Sequence, residues 1–296
     1  MDNYVITGSL GNISKPIIEG LIKQGKKVSV ITSNNDRSKE IEHLGAKPLV
    51  GQLQDLDFLK KAFTNADVVY TMIPPIWQTT NWRASQNEVA RNYTSAIESA
   101  GVKFVVNLSS LGADKPNGIG PVSALYEFEQ MLNKIPGLNV RHLRPSYFYH
   151  NLIAQIGLIK QAGFMGSNFG EGEKLFLVHP ADIAKAALEE LSTLNFKGNS
   201  VRYVISDERS GKEIAEVLGK AINKPLQWVV FTDEQQKQGL LQAGLSETHT
   251  AGYVEMGKAL REGYMQEDAR KNKPVLSKIK LEDFSKEFSE AFNNAK

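Results

Sequence analysis

Gly8 and Gly11 follow a short apolar run, Tyr4-Val5-Ile6-Thr7, and precede Ile13, Ile17 and Leu21, which recur at four-residue spacing. β-Branched residues suit an extended strand, and four-residue spacing is one face of a helix. A strand that feeds a helix through glycines points free backbone N–H groups at one spot, which suits a pyrophosphate. Gly8, Ser9, Leu10, Gly11, Asn12 and Ile13 are therefore the candidate contacts of a dinucleotide. Gly8 lets the chain turn, and Gly11 lets the backbone come close to a bulky ligand. Pro16 falls in the first helical turn, where a missing N–H costs little, and Gly25 stands where a C-terminal cap belongs. Ser14 takes the place of the third glycine of the common fingerprint. A glycine turn without any ligand is the plainer alternative.

The second candidate is a cation. A site for NAD carries Asp or Glu at the tip of the second strand, where it accepts hydrogen bonds from ribose hydroxyls. Here Lys27 to Thr32 reads as that strand, and it runs into Ser33-Asn34-Asn35 with no carboxylate at the tip. Arg37 follows, and a guanidinium can pair bidentately with a 2′-phosphate. NADP(H) is favoured over NAD(H) on this ground. The alternative is that Arg37 is a solvated loop charge beside Asp36.

The elements that must position these groups alternate. After the second strand come a helix from Ser38 to Leu44, a strand from Lys47 to Val50, and a helix capped by Asp55 and running through Phe63. Asp67 to Met72 is a fourth strand stopped by Pro74-Pro75, and Arg83 to Ala100 is a long helix ended by Gly101. Phe104 to Leu108 is a fifth strand, Ser123 to Leu132 a helix, and Asn139 to Leu143 a sixth strand. Such alternation argues an α/β, Rossmann-type, doubly wound parallel sheet. Beyond Tyr147 the reading is mostly helical: 150–161, 181–194, 211–221, 233–243, 247–262 and 281–292, with Val201 to Ile205 the clearest strand. The expected domains are a dinucleotide-binding domain over 1–146, with 177–196 returning to it, and a smaller, mostly helical substrate lobe over 147–296.

Composition bounds the rest. The 296 residues carry 35 Lys+Arg against 33 Asp+Glu, so the totals show no nucleic-acid footprint. The absence of cysteine removes disulfides, thiol nucleophiles and thiolate metal sites. The chain opens on polar Asp2-Asn3 and enters a strand at once, unlike a signal peptide, and no apolar run approaches a bilayer span. A cytoplasmic location and no membrane contact are expected. His43, His142, His179 and His249 share no metal-ligand spacing, and no metal is expected.

Five stretches together resemble the NmrA-like, atypical short-chain dehydrogenase/reductases. They are Thr7-Gly8-Ser9-Leu10-Gly11, the run from Ala100 through Asn107-Leu108-Ser109-Ser110 to Ala113, Glu129-Gln130-Met131-Leu132, Leu143-Arg144-Pro145 and Asp182-Ile183-Ala184. They occur in the family's order over residues 1 to about 195, with weaker similarity beyond. The resemblance implies further cofactor contacts: Gln52 and Leu53 beside the adenine, and Thr71, Ile73 and Pro74 flanking the second ribose. Gln52 stands where the family has Asp, and Ser33 where members often have Arg.

The wider superfamily implied by that resemblance uses Ser, Tyr and Lys, the lysine lowering the tyrosine pKa. Tyr126 is followed four residues later by Gln130, which cannot supply that charge. Ser109 and Ser110 remain candidates to orient a substrate oxygen, Tyr126 and His150 to donate a proton. Tyr147, Phe148 and Tyr149 are candidates to stack on a flat acceptor, or else to wedge the lobe in place. The resemblance implies an NAD(P)H-dependent oxidoreductase moving hydride to a small conjugated acceptor such as a quinone. A non-catalytic redox sensor is the runner-up. A nucleotide-sugar epimerase needs the missing Tyr-Lys pair. A homodimer is left open as the assembly.

Overall fold

The computed structural model describes residues 1–170 and 174–295. Its first part alternates strand and helix: β1 (Asn3–Ile6), α1 (Ser14–Lys23), β2 (Lys27–Thr32), α2 (Ser38–His43), β3 (Lys47–Val50), α3 (Leu56–Phe63), β4 (Val68–Met72), α4 (Trp82–Ala100), β5 (Phe104–Leu108), α5 (Ser123–Asn133) and β6 (Asn139–Pro145). There follow β7 (Tyr147–Phe148), α6 (Ile156–Ala162), β8 (Met165–Ser167), β9 (Leu175–Val178), α7 (Pro180–Thr193) and β10 (Asn199–Val204). Last come β11 (Asp207–Arg209), α8 (Gly211–Ala221), β12 (Trp228–Val230), α9 (Asp233–Gln242), α10 (Glu247–Arg261), α11 (Glu267–Asn272) and α12 (Leu281–Asn294). Two units emerge: residues 1–110, 124–144 and 183–202 form the first, and 111–123, 145–182 and 203–296 the second.

The first unit is built on a seven-stranded sheet in the order β10-β6-β5-β4-β1-β2-β3. The neighbours from β3 through β6 all pair in parallel. Val68, Val69 and Tyr70 are consecutive and all buried, as strands covered on both faces require. Val5 belongs to one apolar layer with Leu59 and Phe63 of α3, Val89 and Tyr93 of α4, and Phe128 and Leu132 of α5. Tyr4 points to the other face, where its hydroxyl donates to the Leu191 carbonyl of α7 at 3.0 Å. Helices thus lie on both faces, and the strand order reverses between β1 and β4. That crevice is where open α/β sheets bind ligands.

Local signals account for the helix limits. The Asp55 side chain accepts from the Phe58 N–H at 2.9 Å and starts α3. Gly101, at φ 64°, ends α4 in the left-handed region. On α4 the buried residues Val89, Ala90, Tyr93, Ala96 and Ile97 form one stripe. Burying a Val or Ile side chain of that stripe contributes about 1.5–3 kcal/mol.

The second unit carries a three-stranded sheet, β11-β9-β7, and a two-stranded one, β12-β8. Its core gathers Tyr149, Leu175, Leu177, Ile214, Leu218, Phe284 and Phe288. The strands β7, β8, β9, β11 and β12 are two to four residues long, too short for a periodic pattern to show. The helix expected over 150–161 is a 3-10 segment, Tyr149–Gln155, followed by α6. The strand near Val201 is β10, and it closes one edge of the large sheet instead of belonging to a separate lobe.

Candidate functional site

The turn after β1 is held in a conformation that side chains resist. Gly8 has φ 85° and Ser9 φ 52°, so two successive residues are left-handed. A Cβ on Gly8 would stand 2.6 Å from Ser14 Oγ, which explains glycine there. Ser14 in turn donates its hydroxyl to the Thr7 carbonyl at 2.9 Å. The residue in the third-glycine position thus ties α1 to β1 by a hydrogen bond and stays buried. No side chain caps the start of α1, and its first turn has no acidic residue. Uncapped N–H groups with no competing carboxylate suit an anion.

Ser9 connects the turn to the end of β2. Its hydroxyl donates to Thr32 Oγ1 at 3.1 Å and accepts from Arg37 Nη1 at 3.3 Å. Arg37, exposed on the 3-10 turn Asn35–Arg37, therefore reaches back over the glycine turn. A cavity of about 270 Å³ opens here, lined by Gly8, Ser9, Thr32, Ser33, Gln52, Leu53 and Pro74, among others. That is slightly under the roughly 300–1,000 Å³ of a complete small-ligand site, so it suits one end of a dinucleotide. Gly51 and Met72, inside the stretches expected beside the adenine and the second ribose, also line it, as do Gln54 and Ile31, which the sequence reading did not single out. Their signal was local: Ile31 lies near the carboxyl end of β2, and Gln54 follows shortly after the carboxyl end of β3.

Two expected contacts face elsewhere. Thr71 is fully buried, its hydroxyl donating to Asn107 Oδ1 on β5 at 3.0 Å, and Ile73 packs in the apolar layer. Side chains alternate along a strand, so Met72 and Pro74 meet the cavity while Thr71 and Ile73 turn away. Leu10, Gly11, Asn12 and Ile13 sit in the turn at the start of α1, beside the cavity lining, not within it.

At the end of β5, Ser109 is buried and donates its hydroxyl to Glu129 Oε1. Glu129 is also gripped by Arg144, with Nε to Oε1 at 3.0 Å and Nη2 to Oε2 at 2.7 Å. Glu129 side-chain exposure is 1% and that of Arg144 8%, so the bidentate pair is desolvated. The Ser109 proton is committed, and only its lone pairs remain to face a ligand. Ser110 and Tyr126 are half-buried, and Gln130 stands one turn beyond Tyr126 on α5.

The remaining candidates lie in the second unit. Tyr149 is fully buried and stacks on Phe284 with centroids 5.2 Å apart, so it anchors the core and presents no face to an acceptor. Tyr147 meets Phe169 edge-on at 5.7 Å, and burial holds its hydroxyl far above the ordinary tyrosine pKa. Phe148 is half-buried. His150 packs against His179 and Phe284, with its Nε2 3.6 Å from Glu287. The expectation of no ligand set rested on spacing along the chain, yet the fold gathers His150, His179 and Glu287 so that their ligand atoms lie within 4.8 Å.

A seven-stranded parallel sheet wound on both faces, with a glycine turn at its crossover, defines a Rossmann-type nucleotide-binding protein. Residues 8–193 match the family described as NAD(P)H-binding, and the chain belongs to that family, as the resemblance read from the sequence implied. It is 25% identical over 246 residues to the NAD(P)H azoreductase of Xenophilus azovorans, covering 82% of each chain. In fold it is similar to an NADPH-dependent quinone oxidoreductase of Escherichia coli solved with NADPH, at TM-score 0.79 and 19% identity, covering 96% of this chain and 99% of that one. Similar too is the triphenylmethane reductase of Citrobacter sp. solved with NADP(H), at TM-score 0.77 and 17% identity, covering 97% and 99%. Among the described residues no helix is long and apolar enough to cross a membrane.

Proposed function

We propose that the chain is an NADPH-dependent reductase of small, flat, conjugated acceptors of the quinone or azo class. The observation that carries this reading is the Gly8–Ser9 turn with Arg37 laid over it, beside a cavity at the crossover of β1 and β4. The names of the azo, quinone and dye reductases to which the chain is similar support the acceptor class. When bound, the reduced nicotinamide supplies the hydride. The α1 N-terminus and Gly11 receive the pyrophosphate, Gln52 and Leu53 border the adenine, and Ser33 and Arg37 meet the 2′-phosphate. The second unit is the substrate lobe of this reading, with Tyr147 and Phe148 as its aromatic contacts.

The proton supply distinguishes this from alcohol chemistry. The Ser109 hydroxyl donates its hydrogen bond to Glu129, and Gln130 brings no charge to Tyr126. A quinone needs only hydride and a proton from water to become a hydroquinone, so a positioned acid is dispensable. General acid catalysis contributes about 10²–10⁴-fold where it operates. Tyr126→Phe should therefore slow quinone reduction by less than about tenfold, well under that range. The check is steady-state NADPH absorbance with quinone, azo-dye and aldehyde acceptors, and with secondary alcohols plus NADP⁺ in reverse. Appreciable alcohol oxidation, or a loss of the full acid-catalysis size in Tyr126→Phe, would contradict the mechanism.

Cofactor choice has its own test. Arg37→Ala removes a charge-assisted contact worth about 1.5–3 kcal/mol, or roughly ten- to a hundredfold in affinity. NADPH binding should weaken by that factor and NADH binding barely change, by fluorescence titration. Equal losses for both would make Arg37 a solvated loop charge.

A further inference from the structure

The second unit holds a group of side chains that the reductase reading does not use. His150 follows Tyr149 at the start of a 3-10 segment, His179 sits at the corner between β9 and α7, and Glu287 lies on α12. His179 Nε2 is 3.0 Å from Glu287 Oε1, and His150 Nε2 is 3.6 Å from Glu287 Oε2. The two imidazoles are 5.6 Å apart between ring centroids. Both pack on the Phe284 ring, one helical turn before Glu287, at 5.5 and 6.3 Å. The rings are thus aimed by packing and not by a ligand.

Zinc binds nitrogen and oxygen at about 2.0–2.2 Å in a tetrahedral set, which places neighbouring donors about 3.3 Å apart. The observed 3.0 and 3.6 Å separations bracket that spacing, and all three ligand atoms lie within 4.8 Å. His150 Nδ1 is buried with no hydrogen-bond partner. Burial, ahead of the charges around it, holds the His150 pKa below its ordinary value, favouring the neutral imidazole that a metal requires. Glu287 is half-exposed, leaving one side of the set open to solvent.

We propose that His150, His179 and Glu287 form a binding site for a divalent ion of the zinc class. Imidazole nitrogens with one carboxylate suit zinc, cobalt and nickel better than calcium or magnesium, which prefer all-oxygen sets. The bound ion ties α12 to the 149–150 segment and to the β9–α7 corner.

The hydrogen bonds around His179 give the site a signature. The Ala181 N–H donates to His179 Nδ1 at 3.1 Å, so in the neutral ring the proton sits on Nε2 and points at Glu287. Coordination through Nε2 moves that proton to Nδ1, and the Ala181 amide loses its acceptor. Metal binding is therefore read out at Ala181 as well as at the ion.

The experiment uses untagged, chelator-treated full-length chain titrated with Co²⁺ and Zn²⁺. Wild type should develop the visible bands of few-coordinate Co²⁺. Its melting temperature should rise by about 4 °C at a metal concentration of a hundred times the dissociation constant. Removing a direct ligand in His150→Ala or Glu287→Gln should cost more than the roughly 10–100-fold typical of outer-shell partners. His43→Ala, at an exposed histidine elsewhere, should bind like wild type. Ala181 amide exchange should quicken on metal addition. No cobalt band or thermal shift in wild type, or equal binding in the ligand variants, overturns the site. Binding with the Ala181 amide unmoved would remove His179 from the set and overturn it as well. None of these readouts depends on reductase activity, so the site stands or falls apart from the proposed function.

Discussion

Gly11→Val should abolish binding of both NADPH and NADH while the chain stays folded. The Gly11 N–H donates to the Gly8 carbonyl at 3.2 Å, and a Cβ on Gly11 would meet only that carbonyl oxygen, also at 3.2 Å. The turn can give by a few tenths of an ångström, but a branched side chain would occupy the space that the pyrophosphate needs. The expected loss is about a thousandfold or more, some 4 kcal/mol. Gly11→Ala should lose less, and far-UV circular dichroism should be unchanged in both. Calorimetric titration of the two variants with each cofactor checks this. A folded Gly11→Val with unchanged affinity would detach the glycine turn from the ligand.

The second large effect concerns stability. Arg144 and Glu129 are desolvated together, and Glu129 takes hydrogen bonds from Arg144 Nε, Arg144 Nη2 and the Ser109 hydroxyl. Breaking such a buried pair from one side is costly, so Glu129→Ala should destabilise the chain by about 3–5 kcal/mol, seen as a lower urea midpoint. The double variant Glu129→Leu/Arg144→Met should recover part of that, because apolar replacement of both members of a buried ion pair is often neutral or stabilising. A double variant as unstable as the single would contradict this. Ser109→Ala offers a milder comparison, since it removes one hydrogen bond to Glu129 and leaves the ion pair intact.

Much of the sheet was legible because its signals are local. Val5-Ile6, the run Val68 to Tyr70 and Phe104 to Val106 are apolar without alternation, and Asp55 and Gly101 mark helix ends by side-chain capping and by a left-handed φ. The glycine turn was legible for the same reason. What was hidden depends on contacts distant in sequence. Strands of two to four residues, such as β7 and β11, exist only because β9 lies between them. Thr71 and Met72 differ only in which side of β4 they face, and one residue of register decides which meets the cavity. Tyr149 reads as a stacking candidate until Phe284, far along the chain, is found against its ring.

Charge on an apolar stripe marks Glu129 as a structural hydrogen-bonding residue. Glu129 falls on the same helical face as Leu125 and Leu132, where a carboxylate must find a partner, and Arg144 ends a buried strand. That pattern points to the ion pair, and the ion pair explains why Ser109 has no proton to spare. The grouping of His150, His179 and Glu287 left no such trace, since they lie far apart along the chain and only the fold makes them neighbours.

The most direct measurement is a single-turnover mixing experiment. The chain, preloaded with a limiting amount of NADPH, is mixed with a small quinone and the nicotinamide absorbance is followed. The account predicts that bound NADPH is oxidised many-fold faster than free NADPH at the same quinone concentration, and that Gly11→Val, unable to hold the cofactor, falls to the free rate. Tight binding of NADPH that stays reduced before quinone, azo dye and aldehyde alike would contradict it, and the chain would then be a sensor of the cofactor and not a reductase.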